Sequence, residues 1–185
     1  MKFIKKNPII YVLSGKASSG KNEIANVIKD IYDFRGKKTI NLAYASYLKD
    51  YARNITGWNG DEETKPREFL QQLGVELIKN NINSHMLINR IIEDIEVYSY
   101  FYDVITISDA RFEEEIEDIR NKFNNVKVIH VYGKENKLKK KKKNHITEIA
   151  LDNYSNYDYE IDNTKTLEEL RNNVERILDE VEDYE

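Results

Sequence analysis

Short apolar runs alternate with amphipathic stretches along the whole chain. Continuous apolar runs, typical of buried strands, predict strands at residues 9–14, 38–42, 104–108, 127–132 and 159–161. Apolar residues three and four positions apart predict helices over 21–34, 46–55, 85–97, 113–123 and 166–181, and one more that opens at Lys65-Pro66. This alternation of strands and helices indicates an α/β fold, with a five-stranded parallel sheet covered by helices on both faces.

Two of these helices have a clear predicted inner face. In the helix that opens at Lys65-Pro66, the apolar face comprises Phe69, Leu70, Leu73, Leu77 and Ile78. In the last helix, it comprises Leu167, Leu170, Val174, Ile177 and Leu178. We expect both sets to pack towards the rest of the domain.

A glycine-bounded loop follows the first predicted strand directly. Its residues match the phosphate-binding pattern G-x-x-x-x-G-K and are Gly15, Lys16, Ala17, Ser18, Ser19, Gly20, Lys21 and Asn22. The glycines let several backbone N–H groups face one point, and the helix that begins near Lys21 adds its N-terminal dipole there. We therefore predict that this loop binds the phosphates of a nucleoside triphosphate. The alternative is a glycine-rich turn in an ordinary α/β unit.

Composition narrows the functional classes. The chain has no Cys, so disulfides, thiolate chemistry and zinc fingers are excluded, and its three His residues have no metal-ligand spacing. The net charge of −4 argues against nucleic acid as a partner. No apolar run is long enough to cross a membrane. These features predict a single-domain cytoplasmic enzyme.

Two charged residues lie at the end of the third predicted strand. Asp109 follows that strand, and Arg111 comes two residues later. A carboxylate at this edge of the sheet would hold Mg²⁺ or activate an acceptor, and a guanidinium would clamp a phosphate in bidentate fashion. Arg67, at the opening of a helix between strands two and three, is a further candidate for an acceptor phosphate. The alternatives are a turn-capping Asp and surface Arg residues in ordinary salt bridges.

A lysine-rich segment covers residues 134–143. One interpretation is a lid that closes cations over the transferring phosphates, and its candidate contacts are Lys137, Lys139, Lys140 and Lys141. The other is a solvated loop or a weak nucleic-acid patch.

Four blocks of sequence follow one another along the chain: the loop 15–22, the segment 65–74, the segment 107–112 with Glu115 and 119–120, and the segment 145–148 followed by 159–163. In these blocks the chain resembles the deoxynucleoside monophosphate kinase family of bacteriophages and low-GC bacteria. Together they span nearly the whole chain. The sequence departs from the family at Asn22, where the family often has Asp, and in its predicted lid, which offers Lys where such lids usually offer Arg.

The resemblance implies a three-layer P-loop fold over residues 1–185, an acceptor-binding helical region at 46–97 and a basic lid at 134–147. It implies transfer of the ATP γ-phosphoryl group to a (deoxy)nucleoside monophosphate. Lys21, Asp109 and Arg111 would then be catalytic, with Asn22 and Asp109 on Mg²⁺ and Arg67 and Arg111 on the acceptor phosphate. It also allows a homodimer.

Three other functions stay open from the sequence. The acceptor could be another small metabolite, since phosphomevalonate kinase has a similar loop. The protein could bind a nucleotide without transferring phosphate, or it could bind nucleic acid through its lysine run.

Overall fold

A computed structural model describes residues 2–133 and 146–183. The five strands are β1 (Ile9–Ser14), β2 (Thr39–Leu42), β3 (Val104–Ala110), β4 (Val126–Gly133) and β5 (Tyr159–Asn163). The α-helices are α1 (Lys21–Phe34), α2 (Tyr44–Thr56), α3 (Arg67–Gln71), α4 (Met86–Tyr98), α5 (Glu113–Lys122), α6 (Ile146–Ile149) and α7 (Leu167–Asp183). A π-helix, Gln72–Ile82, continues directly from α3.

The strands form one parallel sheet in the order β2-β3-β1-β4-β5. Because β1 lies in the middle, the loop that follows it is at the centre of the sheet's carboxyl edge, where α/β proteins bind ligands. The predicted α/β class and the five-stranded parallel sheet are therefore confirmed. Each crossover carries at least one helix, which gives three layers.

Alternate residues along the strands feed two separate cores. On one face, Tyr11 and Ile129 pack with α1 and α7 through residues such as Ile28 and Val174. On the other face, the strands pack with α2, α4 and α5 around a cluster that contains Val12, Ile107, Ile91, Ile95 and Ile116. The central strands are buried on both sides, which explains why their sequences read as continuous apolar runs and not as alternating ones.

The helix predicted after Lys65-Pro66 differs from expectation in its period. It is an α-helix only over α3 and then becomes a π-helix, in which each turn takes about one residue more than in an α-helix. Leu73 and Ile78, five positions apart, are both buried, whereas Leu77 is 48% exposed. The prediction that Leu77 lies on the inner face is therefore wrong, because it assumed α-helical spacing.

The bounds of two further elements, β3 and α7, differ from those predicted. Strand β3 continues to Ala110, so Asp109 lies within the strand and not after it. Helix α7 begins at Leu167, which is 62% exposed, so this residue does not belong to the inner face. The other predicted members of that face are buried, and Val181 extends it.

Candidate active site

The loop between β1 and α1 has the backbone that its glycines predict. Gly20 has φ of +97°, a conformation that residues with a side chain rarely adopt, and it lies directly before the first residue of α1. Ser18 also has a positive φ, of 61°, although it carries a side chain. The loop is thus held in a fixed curl at the N-terminus of α1, the arrangement that suits a bound anion.

Two neighbouring strands support this loop from below. A Cβ atom added at Gly133, the last residue of β4, would lie 2.4 Å from the Cα atom of Ser19. The side-chain amide of Asn163, the last residue of β5, donates to the carbonyl oxygen of Ser19 at 3.1 Å. The ends of β4 and β5 therefore fix where the loop lies above the sheet.

The side chain of Lys21 folds back over the loop. Its Nζ donates to the carbonyl oxygens of Gly15, at 2.7 Å, and Lys16, at 2.8 Å, and the residue is 6% exposed. A buried ammonium held on uncharged carbonyl groups is placed to exchange them for phosphate oxygens, whose negative charge adds the attraction of an ion pair. The side chain thus lies over the loop that the sequence predicts to bind phosphate.

A second group in the loop is free to act as a donor. The hydroxyl of Ser19 is buried, and no hydrogen-bond partner for it exists in the part of the chain that the structure describes. Buried hydroxyl groups are normally paired, so this one is placed to bind a water molecule or a ligand atom. Asn22, by contrast, is exposed at the start of α1.

Asp109 bridges β3 and the first turn of α2. One carboxylate oxygen accepts from the backbone N–H of Tyr44 and the other from that of Ala45, each at 2.9 Å. Burial raises the pKa of Asp109, while these two bonds and the positive charges of Arg111 and Lys21 act in the opposite direction. Sequence alone predicted the position of Asp109 at this edge, but not that both of its oxygens hold a helix terminus.

Lys21 and Arg111 lie at the same edge of the sheet as Asp109. Strands β1 and β3 are neighbours, with Ser14 opposite Ala110, so the loop that follows β1 and the end of β3 lie side by side. The charges of Lys21 and Arg111 both act to lower the pKa of Asp109. Half-buried Arg111 lies next to α6, where its guanidinium is 3.4 Å from the carbonyl oxygen of Thr147.

Arg67 is not part of this group. It is exposed at the start of α3, and its guanidinium is paired with Glu62 at 2.7 Å. The same carboxylate binds the ammonium of Lys65 at 3.0 Å. Arg67 thus belongs to a separate charged cluster with Lys65 and Glu62, in the region between β2 and β3.

Several predicted features lie outside the described residues. These are the lysine-rich segment with Lys137, Lys139, Lys140 and Lys141, and His145 of the fourth sequence block. Within residues 2–133 and 146–183, no group of three or more His, Cys, Asp or Glu side chains could hold a metal ion by itself. No helix in the same ranges is long and apolar enough to cross a membrane.

Three residues contribute to the site for which no role was predicted from the sequence. Gly133 and Asn163 support the loop, and Glu115 accepts backbone bonds from Arg111 and Phe112. A signal existed only for Glu115, whose place at the third position of a helix is that of a capping carboxylate. The other two contacts join distant segments and leave no local pattern.

The chain was compared with known proteins. The family model described as deoxynucleotide monophosphate kinase matches residues 31–174, more than three quarters of the chain. This match begins inside α1, so the phosphate-binding loop lies just before it. A search of the curated proteins finds no match.

Solved kinase structures share the fold. APS kinase from Mycobacterium tuberculosis is 10% identical with a TM-score of 0.54, and the alignment covers 94% of this chain and 99% of that one. Dephospho-CoA kinase from Campylobacter jejuni is 15% identical with a TM-score of 0.51, covering 95% and 97%. Shikimate kinase from Acinetobacter baumannii is 10% identical with a TM-score of 0.52, covering 98% and 96%. At these identities the likeness concerns the fold alone.

Proposed function

The chain belongs to the deoxynucleotide monophosphate kinase family and is a phosphotransferase that acts on nucleotides, and on that premise we propose how its residues divide the reaction. The phosphoryl donor is ATP with Mg²⁺, the acceptor is a deoxynucleoside monophosphate, and the product is the diphosphate. The observation that carries this proposal is that the loop with Lys21 and the end of β3 with Asp109 and Arg111 lie side by side at one edge of the sheet.

The loop and the start of α1 hold the donor. Backbone N–H groups of residues 15–22 and the hydroxyl of Ser19 bind phosphate oxygens, and Lys21 leaves its carbonyl partners for the β- and γ-phosphates. Support comes from the buried hydroxyl of Ser19, which has no partner among the described residues, and from the position of the Lys21 ammonium over the loop carbonyl oxygens. The roles of Gly15, Lys16, Ala17, Ser18 and Gly20 are to shape this cradle.

Asn22 and Asp109 are the residues that would hold Mg²⁺. An amide oxygen and a carboxylate are hard oxygen ligands of the kind that Mg²⁺ prefers, and Mg²⁺ usually keeps several waters in such sites. Each oxygen of Asp109 accepts one N–H bond and retains a lone pair, so it fits a role through water. When bound, the ion neutralises charge on the donor phosphates.

The acceptor phosphate is held on the opposite side. Arg111 grips it beside Asp109, and Arg67 reaches it from the helical region between β2 and β3 after exchanging Glu62 for phosphate. Guanidinium groups suit this task because their planar fork binds phosphate in bidentate fashion. The lid predicted at 134–147 would close lysines over the site and exclude water, which limits hydrolysis of ATP.

Little covalent chemistry is needed from the protein in this reaction. Phosphoryl transfer is accelerated by aligning donor and acceptor and by stabilising charge on the transferring group. Lys21 and Arg111 provide positive charge from two directions, and the supported loop provides a rigid frame. The loop and the end of β3 hold the backbones of Lys21 and Arg111 at this edge, and on binding the lysine side chain would exchange its carbonyl partners for phosphate.

The test is a coupled assay of ADP release with ATP, Mg²⁺ and a panel of acceptors. The panel contains the four deoxynucleoside monophosphates, the ribonucleoside monophosphates, and shikimate and phosphomevalonate as unrelated acceptors. We expect turnover with at least one deoxynucleoside monophosphate and a lower kcat/KM with its ribose counterpart. Turnover with an unrelated acceptor alone, or binding of ATP without any turnover, would contradict the proposal.

A further inference from the structure

Glu115 is a buried carboxyl group at the point where β3 passes into α5. One of its oxygens, Oε2, accepts from the backbone N–H of Arg111 at 2.6 Å and from that of Phe112 at 3.1 Å. The residue is only 9% exposed, although glutamate is an acidic residue. Glutamate side chains are rarely buried unless they are paired. This one is paired with two backbone N–H groups and closes the turn that contains Arg111.

The chain on both sides of Arg111 is anchored. Two residues before it, Asp109 holds the first turn of α2 through the N–H groups of Tyr44 and Ala45. The hydroxyl of Tyr44 in turn donates to the backbone carbonyl oxygen of Glu115 at 2.9 Å. The end of β3, the start of α2 and the start of α5 are thus tied together around one arginine.

The outer side of this turn is closed by the π-helix. The ammonium of Lys79 lies 3.8 Å from the ring centroid of Phe112 and forms an ion pair with Glu114. Phe112 itself is 9% exposed. The backbone of residues 111–112 is therefore fixed by hydrogen bonds from within and by packing from outside.

We propose that Glu115 is a positioning residue, which holds the backbone of Arg111 so that its guanidinium meets the acceptor phosphate in a single orientation. The inference rests on the proposed role of Arg111 in binding the acceptor. In this role Glu115 acts on the acceptor through the two N–H bonds and not by contact with a substrate.

The backbone of Arg111 must be held in place because a long side chain carries any backbone displacement to its guanidinium. Bidentate binding requires the planar fork to match the phosphate in position and angle, and a displacement of about 1 Å in a positioned group can cost roughly a hundredfold in rate. A flexible turn at residues 111–112 would allow such displacements. The two N–H bonds remove that freedom before the substrate arrives.

The test compares two substitutions at this position. Glu115→Gln keeps one side-chain oxygen that can accept both N–H bonds, whereas Glu115→Leu fills the space without any acceptor. We expect Glu115→Leu to lower kcat/KM for the acceptor by about ten- to a hundredfold, mainly through KM, with KM for ATP within twofold of wild type. Glu115→Gln should stay within about threefold of wild type for both substrates, as a rescue by the conservative variant. Glu113→Leu is the matched control, because Glu113 is exposed in the same helical turn and should behave as wild type.

A double variant shows whether the effect passes through Arg111. With Arg111→Lys as background, Glu115→Leu should add little to the rise in acceptor KM, since the group that it positions is gone. Full additivity, an equal rise in KM for ATP, or wild-type kinetics of Glu115→Leu would each overturn the inference. If Glu115→Leu does not fold, Glu115→Asp takes its place, because the shorter side chain cannot reach both N–H groups. The kinetic results expected of Glu115→Leu, and those that would overturn the inference, then apply to Glu115→Asp.

The experiment separates this inference from the proposed function. If Arg111→Lys leaves acceptor KM unchanged, the role of Arg111 in acceptor binding is wrong. If Arg111→Lys raises acceptor KM while Glu115→Leu does not, only the positioning role of Glu115 is wrong.

Discussion

Replacing Gly133 with Ala tests whether the end of β4 sets the position of the phosphate-binding loop. The new Cβ would lie 2.4 Å from the Cα atom of Ser19, 2.9 Å from its carbonyl oxygen and 3.0 Å from its carbonyl carbon. All three are backbone atoms, so no side-chain rotation can relieve the contact. Since carbon atoms normally approach to about 3.5–4.0 Å, the loop must move by roughly 1 Å.

The magnitude follows from this displacement. Overpacking of this kind costs about 1–3 kcal/mol in stability, which exceeds the roughly 0.4–1 kcal/mol gained from a stiffer unfolded chain. The loop carries the N–H groups and Lys21, so the shift should act on the donor. We expect kcat/KM for ATP to fall by about tenfold to a hundredfold, with KM for the acceptor nearly unchanged.

The assay combines urea unfolding with steady-state kinetics for both substrates. Gly36→Ala is the matched control: Gly36 has a positive φ of 73°, but a Cβ there would meet nothing within 4 Å. It should lose about 1–2 kcal/mol of stability from its backbone conformation and keep the wild-type KM for ATP. If Gly133→Ala binds ATP as wild type does, the loop does not depend on β4 and the account of its support is wrong.

Three further predictions concern the metal, a buried acid and the core. Asn22→Asp should lower the Mg²⁺ concentration needed for half-maximal activity several-fold, because a carboxylate adds negative charge to the metal ligands. A Mg²⁺ titration that shows no change would exclude Asn22 from the metal site. Burial raises the pKa of Glu115 to about 8, with the charge of Asp109 adding to the rise and that of Lys79 opposing it, so the folded state favours the protonated form and loses stability as pH rises from about 4.5 to 8. Glu115→Gln lacks this loss, so its free energy of unfolding relative to wild type should increase over that interval, and a constant difference would argue against the shift. Ile91→Ala, in the fully buried part of the second core, should cost about 2–5 kcal/mol in urea unfolding, and a cost below 1 kcal/mol would contradict the packing described there.

Much of the fold was predictable because its signals are local. The bounds predicted for β1 and α1 agree with the structure residue for residue, since a buried central strand, a glycine-bounded loop and an amphipathic helix each leave a pattern in consecutive residues. The parallel sheet followed from the alternation of elements. One error came where the helical period changed: Leu77 turns outwards because the π-helix needs more residues per turn than the pattern assumed. The others, at Asp109 and Leu167, came at the ends of elements.

The site was predictable only in part, for a different reason. The loop and the position of Asp109 and Arg111 followed from the rule that parallel strands end at one edge. Contacts between distant segments, such as Gly133 with Ser19 or Asp109 with Tyr44, depend on how the elements pack and have no signature in a single sequence. The exposed ion pair of Arg67 with Glu62 is a different case: it is a local contact across five residues, and a surface salt bridge was the alternative interpretation of Arg67.

The most direct test of the central claim is transfer of label from [γ-³²P]ATP to a deoxynucleoside monophosphate by the wild-type protein and by Lys21→Ala. Circular dichroism and urea unfolding would establish that the variant is folded. The account predicts labelled deoxynucleoside diphosphate with the wild type and none above background with Lys21→Ala, since the ammonium over the loop is lost. Equal transfer by both proteins would show that the loop and Lys21 do not form the donor site.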